Sequence, residues 1–126
     1  MKIKKHIDGI GFNFLIGKSI IKVEEINFDD FEGYILTCNE GTTIEVETNE
    51  GCGGCTNGWS SFDDLKKLEI DNNVITNIEV KYSKEDEDKF VMYVYYADHK
   101  INKLNGDDGY GNGYYGGGFY ITIKGE

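Results

Sequence analysis

The sequence predicts an α+β domain that is mostly antiparallel β-sheet. Three observations carry this expectation. Short segments rich in β-branched and aromatic residues recur along the chain, most of them bounded by Gly, Asn or Asp. The clearest of them alternates apolar and polar residues, the period-two pattern of a strand with one wet face. Only residues 60–68 carry the spacing and end chemistry of a helix.

In chain order, Ile20–Ile26 reads as a strand and Phe28–Gly33 as a polar connection. Tyr34–Cys38 is a second strand, Asn39–Gly41 a tight turn and Thr42–Thr48 a third strand, together a β-hairpin. Asn49–Gly58 is a Gly/Cys loop. In the helix, Ser60 is placed to cap the N-terminus, with Asp63 in a capping-box-like position. Asp63 and Asp64 near its start and Lys66 and Lys67 near its end suit the helix dipole. Trp59, Phe62, Leu65 and Leu68 form its expected buried face. Val74–Tyr82 and Phe90–Asp98 are further strands, and the charged run Lys84–Lys89 between them is a solvated tip. Ile101–Leu104 is a short strand and Phe119–Lys124 the last. This makes five to seven strands, a number that allows barrel-like closure, in a single domain over residues 1–126.

The formal net charge is −10, and all 13 basic residues are lysine. Arginine supplies the bidentate fork for phosphates and guanine edges, so an acidic, arginine-free chain is a poor grip for DNA or RNA. No apolar run approaches the roughly 20 residues of a membrane-spanning helix. The basic start, Met1–His6, lacks the apolar core of a signal peptide, so the expected location is the cytoplasm, without membrane contact. The three cysteines, Cys38, Cys52 and Cys55, are an odd count that argues against a disulfide framework.

Two segments could carry chemistry. Cys52-Gly-Gly-Cys55 has the spacing of a zinc knuckle. Only Cys38, His6 and His99 remain as further ligands, and no second pair with zinc-ribbon spacing exists. A redox pair would sit at the start of a helix in a βαβ unit, which this one does not. A loop with reduced thiols, a metal knuckle and a redox pair all stay open. No metal or cofactor is assigned, with Cys52 and Cys55 as the only metal candidates.

The second segment, Asn105–Gly118, is half glycine. Glycine permits positive φ and bares backbone N–H groups that can cradle an anion. Tyr110, Tyr114 and Tyr115 offer flat ring faces, Asp107 and Asp108 can accept from ribose hydroxyls or amines, and Asn112 adds an amide. With Trp59 these are the expected ligand-binding residues, and the chemistry suits a nucleotide-like or sugar-like molecule. The string is not a P-loop, a dinucleotide-binding turn or an EF-hand. The alternative is a turn and bulge that bend the sheet, with the tyrosines as packing residues. No catalytic constellation is visible: His6 lies in the tail, His99 at a strand end, and no nucleophile elbow or His-Glu-x-x-His motif occurs.

The order of features resembles a family of small phage and prophage proteins of unknown function. The residues that carry the resemblance are Leu15, Gly17, Lys18 and Ile20, then Cys55 and Trp59, then the string Asn112-Gly-Tyr-Tyr-Gly-Gly117. The family pattern has adjacent cysteines before the tryptophan; here Gly54 takes the first of those positions and Cys52 lies two residues earlier. The resemblance implies a phage-type accessory protein in the host cell cytoplasm, with an anti-defence role. Read together with the Gly/Tyr segment, the expectation is a non-enzymatic module that sequesters a small nucleotide-like signal, with self-association as an option. One alternative is an acidic inhibitor of a host nucleic-acid-binding or defence enzyme, suggested by the charge. A second is a small enzyme acting on a nucleotide.

Overall fold

The computed structural model of the chain describes residues 2–28, 31–48, 60–71, 73–109 and 118–125. The strands are β1 (Lys2–Ile7), β2 (Ile20–Phe28), β3 (Phe31–Cys38), β4 (Thr43–Thr48), β5 (Ile75–Tyr82), β6 (Lys89–Tyr96), β7 (Ile101–Asp107) and β8 (Phe119–Lys124). They pair, all antiparallel, into a five-stranded sheet of order β1-β8-β4-β3-β2 and a three-stranded sheet of order β5-β6-β7. The predicted class holds, but among the described residues no closed barrel forms: β1 and β2 stand at opposite ends of the larger sheet.

The expected hairpins are present. Gly41 turns the β3–β4 hairpin at φ +97°, a left-handed conformation that favours glycine. The connection expected at 28–33 is mostly strand, since β2 and β3 run on to the Phe28↔Phe31 pair. The β6 strand ends at Tyr96, two residues early, and His99 adopts φ +74° in the turn that follows. The basic start of the chain is a strand, β1. It pairs with β8 over six positions, and Lys5, which breaks its apolar period, lays its ammonium 4.7 Å from the centre of the Phe14 ring.

The helix expected over 60–68 is a five-residue 3-10 helix, Asp63–Lys67. Its cap residue is Phe62, with no side-chain cap bond, so Ser60 does not cap it. The reason is a competing bridge. Ser61 and Asp107 exchange both backbone hydrogen bonds at 2.9 Å, which holds this stretch extended. The two acidic residues serve elsewhere: Asp63 accepts from the Tyr34 hydroxyl (3.0 Å) and Asp64 from the Asn105 backbone N–H (2.8 Å). A second 3-10 helix, Gly9–Leu15, gave no periodic signal; Asp8 caps it by accepting from the Ile10 N–H.

One hydrophobic cluster draws on both sheets and both short helices. At its centre Phe12, Phe62, Phe90 and Phe119 meet mainly edge to face, with centroids 5.1–6.4 Å apart. Phe90 also covers its cross-strand partner Gly106. A Cβ on Gly106 would lie 2.3 Å from Phe90 Cζ. Gly106→Ala is therefore expected to lower unfolding free energy by about 1–3 kcal/mol in urea titrations. Gly125→Ala, with nothing within 4 Å of the new methyl, should leave it unchanged.

Candidate functional site

The described ends of the Gly/Tyr segment meet at Asp108, which is buried. Its backbone N–H donates to Asp88 O (2.8 Å), and its carbonyl accepts from Gly118 N–H (2.6 Å). Its carboxylate accepts from Gly9 N–H at Oδ1 (2.9 Å) and from the Tyr82 hydroxyl at Oδ2 (2.5 Å). Gly109 and Gly118, which flank the remainder of the segment, both sit at φ +71°. Asp108, expected to accept from a ligand, thus has both oxygens engaged inside the fold. Burial raises its pKa above the ordinary carboxyl value, against the two hydrogen bonds, which lower it. Burial, then the Asp108 carboxylate, pushes the Tyr82 phenol well above its usual range.

Asp107 lies at the end of β7 and helps line an open groove of about 450 Å³. The groove lies against the outer face of the three-stranded sheet. Along β6, Phe90, Met92, Val94 and Tyr96 are buried, while Val91, Tyr93 and Tyr95 are only partly covered, so alternation turns the second set outward. Register places Lys81, Val91 and Asn105 in one row across the sheet, with Lys89 opposite Asp107. Lys81, Ser83, Lys89, Val91, Tyr93, Asn105 and Asp107 all line the groove. Lys81 Nζ stands over the Tyr93 ring, 5.6 Å from its centre. Lys89 reaches Asp86 only at 3.9 Å, with both side chains largely exposed, a pairing of little energy.

A second concavity of similar size is lined by Asp8, Ile10, Tyr82, Glu87, Asp88 and Asp108. Four carboxylates make it hostile to anions. Among the described residues no group of three or more His, Cys, Asp or Glu side chains could hold a metal ion.

Trp59, Tyr110, Asn112, Tyr114 and Tyr115 lie outside the described residues, as do Cys52 and Cys55. Cys38 is buried in the core, and burial raises its thiol pKa, so it is no accessible ligand or nucleophile. His6 packs against Tyr120, with centroids 5.1 Å apart. Sequence reasoning missed Lys81, Ser83, Lys89, Tyr93 and Asn105. Lys81 and Tyr93 do fall on the polar phase of their strands, but only cross-strand register brings them together.

No helix among the described residues is long and apolar enough to cross a membrane. The fold defines a two-sheet antiparallel domain with short 3-10 helices and an open groove on its smaller sheet. The chain belongs to the DUF7448 family, a domain of unknown function, which it matches over residues 13–121. No curated protein and no solved structure matches it.

The Asp108 contacts can be tested by substitution. Asp108→Ala strands the buried Gly9 N–H, which should cost about 1–3 kcal/mol, and frees the half-buried Tyr82 hydroxyl, which adds less. Asp108→Asn keeps an acceptor for Gly9 and should cost far less. The pH dependence has a definite sign. A carboxyl whose folded pKa is raised above 3.8 contributes stability below that value and loses it as pH rises through the folded pKa. The stability of the wild type relative to Asp108→Asn should therefore fall as pH climbs from about 3.8, then level off. A difference that grows with pH contradicts this account of the buried carboxyl.

Proposed function

We propose that the protein is a non-enzymatic binding module that holds a small nucleotide-like anion in the groove on β5-β6-β7. The observation that carries this reading is the pairing of two ammonium groups, Lys81 and Lys89, with the Tyr93 ring in one concavity of an acidic chain. Its volume of about 450 Å³ falls in the range of small-molecule pockets. Sequestration of a nucleotide-type immune signal by a phage-type accessory protein is the setting we favour. It rests on the sequence resemblance at Leu15–Ile20 and at 112–117.

Calorimetry with nucleoside mono- and diphosphates, cyclic dinucleotides and ADP-ribose tests the reading. At least one should bind, weaken with salt, and be recovered chemically unchanged. The double variant Lys81→Glu/Lys89→Glu should bind it at least about tenfold more weakly, as expected for losing two charge-assisted contacts. Silence across the panel removes the reading.

The acid-lined concavity favours a second reading, an inhibitor that docks on a basic, nucleic-acid-binding enzyme. Capture of such an enzyme from host lysate should then weaken as salt rises and disappear with Glu87→Lys/Asp88→Lys. Capture that survives both changes speaks against it.

A further inference from the structure

The polar groups of the groove divide by strand. On the β5–β6 side stand Lys81, Ser83 and Lys89. Ser83 Oγ accepts from the N–H groups of Glu85 (3.2 Å) and Asp86 (3.3 Å), so its hydroxyl hydrogen is what it has left to offer. This wall presents donors: two ammonium groups and one O–H.

The β7 side presents acceptors. Asn105 Nδ2 points at Asp64 (3.4 Å), which leaves its carbonyl oxygen for the groove. Asp107 Oδ1 accepts from Gly109 N–H (2.8 Å), which leaves Oδ2. Between the walls, Val91 occupies the same cross-strand row as Lys81 and Asn105, with Tyr93 beside it. Lys81 on β5 stands two strand spacings, about 10 Å, from Asn105 on β7, whereas Lys89 on the central strand is one spacing from its partner Asp107. Phosphate alone cannot reach from Lys81 to Asn105, and a free nucleoside leaves Lys81 and Ser83 empty.

We infer that the groove reads a nucleoside phosphate in one orientation, and this rests on the binding reading above. The phosphates lie at Lys81 and Ser83, with Lys89 on the central strand between them and Asp107. The sugar hydroxyls or an exocyclic amine donate to Asn105 and Asp107. The ring system covers Val91 and Tyr93. Asn105 and Asp107 are then the residues that distinguish a nucleotide from a bare phosphate.

The test uses the whole chain and titrates the four common ribonucleoside 5′-diphosphates and inorganic pyrophosphate, each at low and high salt. Lys81→Gln and Asp107→Asn are the variants; both are partly or fully exposed positions, and Asn at 107 keeps the acceptor for Gly109. Lys81→Gln should weaken the best diphosphate about tenfold, weaken pyrophosphate alike, and flatten the salt dependence, because it removes a phosphate contact. Asp107→Asn should weaken the diphosphate several-fold, leave its salt dependence in place, and not weaken pyrophosphate. If Asp107→Asn weakens both probes equally, or tightens both, as loss of a repelling charge would, the assigned orientation is overturned while nucleotide binding stands. If no nucleotide binds the wild type, the binding reading falls and the orientation with it.

Discussion

Asp108 is the residue on which the arrangement of this protein depends. Its four hydrogen bonds tie together parts that are otherwise distant in sequence: the start of the first 3-10 helix at Gly9, the end of β5 at Tyr82, the β5–β6 tip at Asp88 and the entry to β8 at Gly118. A buried carboxyl is costly unless its oxygens are satisfied, and here both are. The residue therefore belongs to the frame. It holds β7 and β8, which belong to different sheets, at the point where the Gly/Tyr segment leaves one and returns to the other.

The same logic runs through the acidic residues nearby. The outer edge of β7 would present unpaired backbone groups. Ser61 bridges it at Asp107, and Asp64 accepts from the Asn105 N–H. Against burial, which raises it, the Asn105 N–H and the Lys67 ammonium hold the Asp64 pKa below its ordinary value. A chain of net charge −10 and no arginine still places two lysines, Lys81 and Lys89, in one groove with the Asp107 carboxylate.

Much of the fold was legible because strands announce themselves by alternation. Ile44 and Val46 against Glu45 and Glu47 placed β4 with its correct buried face. Three elements were misread for identifiable reasons. β1 was hidden because Lys5 breaks its apolar period and packs on Phe14 instead. Capping chemistry at Ser60 is local and suggests a helix start there, whereas the bridge that overrides it joins Ser61 to Asp107 on a distant strand. The first 3-10 helix, with Phe12 and Leu15 buried, is too short for a helical period to show. Of the candidate site, Asp107 was found and the rest of the described groove was not.

By itself the sequence determined the antiparallel class, the main hairpins, the absence of an arginine-based nucleic-acid grip, and the oddity of Asn105–Gly118. Those follow from period, turn chemistry and charge, all of which act over a few residues. Tertiary structure alone decided which of two adjacent aspartates faces the groove. Asp107 and Asp108 look equivalent in sequence, yet alternation at the end of β7 leaves one at the groove and sends the other inward to Gly9 and Tyr82. That choice depends on strand register and on partners 26 and 99 residues away, which no local pattern records.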